Sequence, residues 1–299
     1  MRGRKTDPDP SQATIALIGA GGLARALAPA LVRSGSRLVL ASRRPESARA
    51  LLRGLHSRLA RAVAEPAQAA AQATLLVLCV PDDELEGLAT ELAQTGSGKG
   101  RCVLHASGFQ SERVLAPLAR AGWSTGSLHP LLALPRRGRA ASFEGAWFAI
   151  AGQARACRAA RGLVRALGGR ELALRAGAQA EYHLAATLVS NGSLALFELA
   201  RAHFERAVLR PREAREAFAA LLAATAANLA HASPRDSLTG PLARGDERVL
   251  RGHLELLTVR GERELYRALG RVLLDLSSDR LTPAQRRKLA ALLSPSRTR

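Results

Sequence analysis

At 299 residues and 47% hydrophobic side chains, the chain is long enough to bury a sizeable core, and its length suggests about two domains. A net charge of +19 raises the question of nucleic acid or an anionic membrane. Yet all but three of the 44 basic residues are Arg, they are spread along the chain, and only ten residues are aromatic, so no stacking platform is interleaved with them; neither partner is expected.

Residues 1–12 are charged and carry Pro8 and Pro10, which reads as a disordered lead-in and neither a signal peptide nor a membrane segment. Cys79, Cys102 and Cys157 show no CxxC spacing and read as small core residues in a reducing compartment. No apolar run approaches the ~18 residues of a membrane span, so a cytoplasmic location is expected, and no metal site.

Residues 13–42 read ATIALIGAGGLARALAPALVRSGSRLVLAS: an apolar strand, a glycine-rich turn, a helix and a second apolar strand. In this context Gly19 forms the tight turn, Gly21 leaves room for a pyrophosphate at the helix N-terminus, and Ala24 takes the close-packing third position. An NAD-preferring site places an acid at the end of the second strand; here stand Ser42, Arg43 and Arg44, a hydroxyl and two guanidinium groups suited to a 2′-phosphate. The expected cofactor is therefore NADP(H). Gly22 and Leu23 in the same turn, and Val80, Pro81 and Ser107 at neighbouring strand ends, complete the candidate cofactor contacts. Pro29 lies inside the first helix and predicts a kink.

A helix is expected from Pro45, a strand near 61–64, a central parallel strand at Leu75–Val80 and a helix over 83–94. Strands at 102–105, 124–128 and 147–151, with a helix at 111–121, continue the alternation of a doubly wound α/β domain over residues 13–173. Beyond it the pattern is all α. A helix of about 42 Å is expected over 178–206, with others at 211–232, 246–257, 262–276 and 282–292, and a short tail at 294–299. So long a helix suggests that the second domain, 174–293, buries its helices against a second subunit as a homodimer.

The candidate chemistry sits at strand ends and on the long helix. His129 follows a predicted strand, where a histidine donates a proton to a carbonyl oxygen, binds a substrate carboxylate, or caps its loop. Ser107 and Gly108, after His105, lie against cofactor or substrate or form a simple turn. His183, Thr187 and Asn191 share one helix face at i, i+4, i+8, a polar stripe that lines a cavity or is satisfied in the core. Tyr182 lies beside it as a further donor. In the turn 238–246, Thr239 or Arg244 can hold an anionic substrate group, while Asp246 can cap the next helix.

The set Gly19-Ala20-Gly21, HASG at 105–108, SLHPL at 127–131, EYHLAATLVSNG at 181–192 and LTGPLARGD at 238–246 resembles Rossmann-like proteins with a C-terminal helical domain of unknown function. More distantly the chain is similar to ketopantoate reductase, pyrroline-carboxylate reductase and the β-hydroxyacid dehydrogenases, with a helical part like the 6-phosphogluconate dehydrogenase C-terminal domain. The resemblance implies an NADP-dependent reductase of a small carboxylate-bearing carbonyl or imine, bound in the cleft between a Rossmann domain and a helical dimerisation domain. On this basis His129, His183 and Asn191 are the catalytic candidates, and Tyr182, Thr187, Thr239 and Arg244 the substrate-binding ones. One departure matters: ketopantoate reductases and β-hydroxyacid dehydrogenases carry a catalytic lysine four residues before an asparagine, and the matching position here is Thr187, a poor acid. Either a histidine supplies the proton, or the substrate is an already protonated imine, or the protein binds NADP without redox chemistry.

Overall fold

The computed structural model describes residues 14–134 and 142–295; the expected lead-in over 1–12, and 296–299 of the expected tail, lie outside them. The first half alternates strand and helix: β1 (Thr14–Ile18), α1 (Gly22–Arg33), β2 (Arg37–Ala41), α2 (Pro45–Leu55), β3 (Ala60–Ala62), α3 (Pro66–Ala71), β4 (Leu75–Leu78), α4 (Leu85–Ala93), β5 (Cys102–His105), α5 (Ala116–Arg120), β6 (Ser124–Leu131), β7 (Trp147–Gly152), α6 (Ala154–Ala166) and β8 (Arg170–Ala173). Short 3₁₀ turns at Asp82–Glu84 and Glu112–Leu115 lead into α4 and α5. Helices follow: α7 (Gln179–Ala207), α8 (Pro211–Leu229), α9 (Pro234–Ser237), α10 (Glu247–Leu256), α11 (Arg260–Leu276) and α12 (Pro283–Leu292).

The strands form one sheet of order β3-β2-β1-β4-β5-β6-β7-β8. Successive side chains of a strand point to opposite faces, and both faces here are covered, which is why the central strands are apolar throughout. Ile15, Leu17, Leu75 and Val77 pack on one side against Ala24, Leu27 and Leu31 of α1 and Leu163 of α6. Ala16, Ile18, Leu76 and Leu78 pack on the other against Leu85, Leu88 and Leu92 of α4 and Trp123. The strand order reverses at β1 and β4, and at such a switch point the loops leaving the carboxyl ends diverge and open a crevice. The glycine turn after β1 lies there. Helix α1 runs unbroken through Pro29, from Gly22 to Arg33.

Two features of the sheet depart from the sequence reading. Strand β6 continues to Leu131 because β7 pairs with it antiparallel, and His129, expected just beyond the strand, is inside it, in register with Ala149. Strand β8 pairs parallel to β7; its short sequence Arg-Glu-Leu-Ala is only half-buried and carries no apolar run to announce it.

The chain divides into two compact units between Asn191 and Gly192, within α7, further along than the residue 173 boundary expected from periodicity. The first turns of α7 belong with the sheet: Gln179 is buried and its Nε2 donates to Glu112 Oε2 at 3.2 Å, and Tyr182 meets His129. In the second unit Leu242, Leu250, Leu274, Leu289 and Leu293 form a core among the loop before α10 and helices α10, α11 and α12. Asp246 caps α10 by accepting from Val249 N at 3.2 Å, and a capping box of Thr282 and Gln285 starts α12. Among the described residues no helix is long and apolar enough to cross a membrane.

Candidate active site

The turn after β1 is built for close backbone approach. Gly19 has φ +118°, and a Cβ there would lie 2.2 Å from the carbonyl oxygen of Cys79 at the end of β4, so only glycine fits. At Gly21 and Gly22 an added Cβ would meet nothing within 4 Å, so the space in front of the α1 N-terminus is open. No side chain caps that terminus and no acid lies in its first turn, which leaves its amides and the positive end of its dipole facing that space. Ala24 is fully buried, as close helix–strand packing requires. These residues fit the pyrophosphate of a dinucleotide.

Beside the turn, the carboxyl end of β2 presents Arg43 and Arg44, both exposed, while Val80 and Pro81 follow β4 on the other side. Arg43 Nη2 is paired with Glu84 Oε1. The Ser42 hydroxyl is buried and engaged locally: it donates to the Arg44 carbonyl oxygen at 2.8 Å and accepts from Arg44 N at 3.1 Å. Its one proton holds the Arg43–Arg44 turn, so Ser42 shapes the loop that carries the two guanidinium groups.

A second cluster forms where β5 and β6 end and α7 begins. Ser107 Oγ donates to Asp82 Oδ2 at 2.7 Å and accepts from Phe109 N and Gln110 N, which fixes the turn after β5. That turn passes beneath two imidazoles: a Cβ on Gly108 would lie 2.8 Å from His183 Cδ2 and 2.9 Å from His129 Cε1 and Nε2. His129 Nδ1 and Tyr182 Oη are hydrogen-bonded at 2.9 Å. The His183 ring stands edge-on to His129 and to the exposed Phe109, with centroids 6.1 and 6.2 Å apart.

Burial sets the protonation states in this cluster. It pushes His129 down to about 4, with the neighbouring His183 adding to the effect and the Asp82 carboxylate opposing it. His105, fully buried behind the turn, is likewise pushed down to about 4 by burial, against the pull of Asp82. Burial raises Tyr182 to about 12. At neutral pH the pair is therefore a neutral imidazole and a protonated phenol. The tautomer with its proton on Nδ1 donates to the Tyr182 oxygen and frees the phenol proton to point at a bound substrate.

A Rossmann-like domain model matches residues 1–130, and the model of a domain of unknown function, DUF2520, matches residues 146–273. The first part of the chain thus matches a Rossmann-like domain and the second part DUF2520. No curated protein matches it. Among solved structures it is similar to a proposed NADP oxidoreductase from Bacteroides fragilis, at 25% identity and TM-score 0.72, over 90% of this chain and 99% of the other. It shares its fold with a reductive aminase from Aspergillus terreus solved with NADPH and ethyl-5-oxohexanoate, at 17% identity and TM-score 0.59, over 94% and 92% of the two chains. It does so also with a pyrroline-5-carboxylate reductase from Coxiella burnetii, at 16% identity and TM-score 0.59, over 94% and 98%.

The Rossmann-like match holds the glycine turn, Arg43, Arg44, Ser107 and His129, and the DUF2520 match holds Tyr182, His183, Thr187, Asn191, Thr239 and Arg244. The structure brings Ser107, His129, Tyr182 and His183 together. Thr187 is half-buried and Asn191 exposed, and among the described residues neither side chain makes a hydrogen bond. Thr239 and Arg244 lie in the second unit, both exposed, in the loop between α9 and α10. Asp82, Glu84, Phe109 and Gln179 join the site without having been singled out from the sequence. For Asp82 a signal existed, an acid immediately beyond the central apolar strand; the others are visible only through their contacts.

Proposed function

We propose that this protein is an NADP(H)-dependent reductase of a small imine or carbonyl compound, with the imine favoured. The observation that carries the reading is the placement of an open, uncapped glycine turn and the Tyr182–His129–His183 cluster at the carboxyl ends of strands of one sheet. The Bacteroides and Aspergillus structures support it by their overall similarity and the NADP or NADPH in their names, and the Coxiella structure by its overall similarity and its name as a reductase. The amides of Gly21, Gly22 and Leu23 would hold the pyrophosphate, and Arg43 and Arg44 the 2′-phosphate. When bound, the cofactor supplies the hydride.

This chain's own residues supply the proton and the field. Tyr182 gives its phenol proton to the substrate nitrogen or oxygen, and His129, uncharged and hydrogen-bonded to it, orients the phenol and relays a replacement. The cluster contains no Lys or Arg to stabilise a developing oxyanion, and the Asp82 carboxylate makes the region electronegative, a field that favours a cationic iminium over an alkoxide. The test is calorimetric titration with NADPH and NADH of the native protein and of Arg43→Ala/Arg44→Ala, followed by NADPH oxidation with cyclic imines and 2-oxo acids. NADPH should bind about 10-fold or more tighter than NADH, and the double substitution should remove the difference. Binding of neither nucleotide overturns the reading.

We also infer a homodimer through the C-terminal helices. Leu188 and Val189 of α7 are 65% and 74% exposed, and Leu194, Leu221, Leu222 and Leu229 are exposed as well, large apolar side chains that a lone chain would leave wet. A monomeric mass in light scattering at micromolar concentration overturns this. The three free cysteines suit a cytoplasmic protein.

A further inference from the structure

The sheet order β2-β1-β4 sets the loops after β2 and β4 on either side of the glycine turn that leaves β1. Arg43, two residues beyond β2, and Glu84, in the turn after β4, reach each other across this strand end and form an ion pair between Nη2 and Oε1. The Glu84 side chain is 22% exposed and held in the turn that leads into α4, whereas that of Arg43 is 72% exposed. The carboxylate is thus the more enclosed partner and the guanidinium the more exposed one. Arg44 makes no ion pair among the described residues, so only one of the two arginines at this strand end is engaged.

On the reading that Arg43 and Arg44 receive a 2′-phosphate, we infer that Glu84 is a stand-in for that phosphate and the residue that sets how strongly the protein prefers NADPH to NADH. The acid missing from the end of β2 is supplied in space from the end of β4. There it occupies one edge of the Arg43 fork and places a negative charge beside any phosphate that comes to it. A 2′-phosphate has to displace the carboxylate from Arg43 and then remain close to it. A nucleotide with a free 2′-hydroxyl leaves the pair intact. Glu84 therefore weakens the phosphate-bearing ligand selectively and narrows the gap between the two cofactors.

The test compares adenosine 2′,5′-bisphosphate with adenosine 5′-monophosphate, which differ only in the 2′-phosphate, by calorimetry at low salt on the native protein, Glu84→Gln, Arg43→Ala and the double variant. An exposed ion pair accounts for a few-fold in an equilibrium, and removing the like charge adds to this, so Glu84→Gln should tighten the bisphosphate by about three- to tenfold. The monophosphate should be unaffected, and the gain should vanish in the Arg43→Ala background. Unchanged or weaker bisphosphate binding by Glu84→Gln, weaker monophosphate binding, or a gain that survives Arg43→Ala each overturns the inference while the cofactor reading stands. Failure of both probes to bind the native protein removes the cofactor reading itself, and this inference with it.

Discussion

Replacing Tyr182 by Phe removes one hydroxyl from the cluster and keeps the ring that meets His129 edge-on. The lost interaction is the 2.9 Å hydrogen bond to His129 Nδ1, a partly buried contact between neutral groups, for which about 1 kcal/mol of stability is expected, or a fall of about 2–4 °C in Tm. The effect on turnover should be far larger. A general acid contributes on the order of 10²-fold or more, and because the proton moves only in the transition state, kcat and kcat/KM should fall together. NADPH affinity should not change, since the glycine turn and Arg43 lie at other strand ends. The defect should be largest at alkaline pH, where Tyr182, with its pKa raised to about 12, is still protonated but solvent gives few protons to an imine; it should shrink at acid pH, where the imine is protonated before it binds. The assay is the pH profile of NADPH oxidation with a cyclic imine found by screening. A variant within threefold of the native kcat across the whole range would refute proton delivery by this pair.

Gly19→Ala should abolish nucleotide binding and destabilise the fold by about 2–4 kcal/mol, because φ +118° is strained for alanine and its Cβ would lie 2.2 Å from a backbone oxygen; denaturant midpoints and calorimetry check both effects. Gly108→Ala places a methyl group within 2.9 Å of both imidazoles, so the rings must separate. A stability cost of about 1–3 kcal/mol and a lower kcat with native NADPH affinity are expected from thermal melts and kinetics, and native turnover would show that the spacing of the two histidines is unimportant. His105 and His129 are both held near 4 in the folded protein, below the usual 6.5, so the unfolded chain binds protons first as pH falls. The stability that comes from keeping them neutral is complete above about pH 6.5 and is lost between there and about pH 4, on the order of 3 kcal/mol for each and less where the two interact. His105→Phe, an aromatic without a proton to gain, should flatten that part of the curve in urea unfolding measured at several pH values; an unchanged slope would refute the assignment.

Features with local causes were legible in the sequence. The turn Gly19-Ala20-Gly21 between an apolar run and an amphipathic helix, the doubled guanidinium at 43–44, and the unbroken apolar strand at 75–78 each have a physical reason contained in a few consecutive residues. The long helix was visible too, since its period and length need no partner to be read.

What only the tertiary structure decided are the contacts that depend on strand order. Strand β7 turns back antiparallel on β6 and carries His129 into the sheet, a pairing that no periodicity in either strand specifies. Tyr182 reaches His129 across 53 residues and Arg43 reaches Glu84 across 41, and nothing in the sequence around any of the four names its partner. Burial has the same character. The sequence by itself determined that histidines stand at the strand ends and on the helix, but their neutral state follows from the water that the packed elements exclude, which is a property of the assembled core.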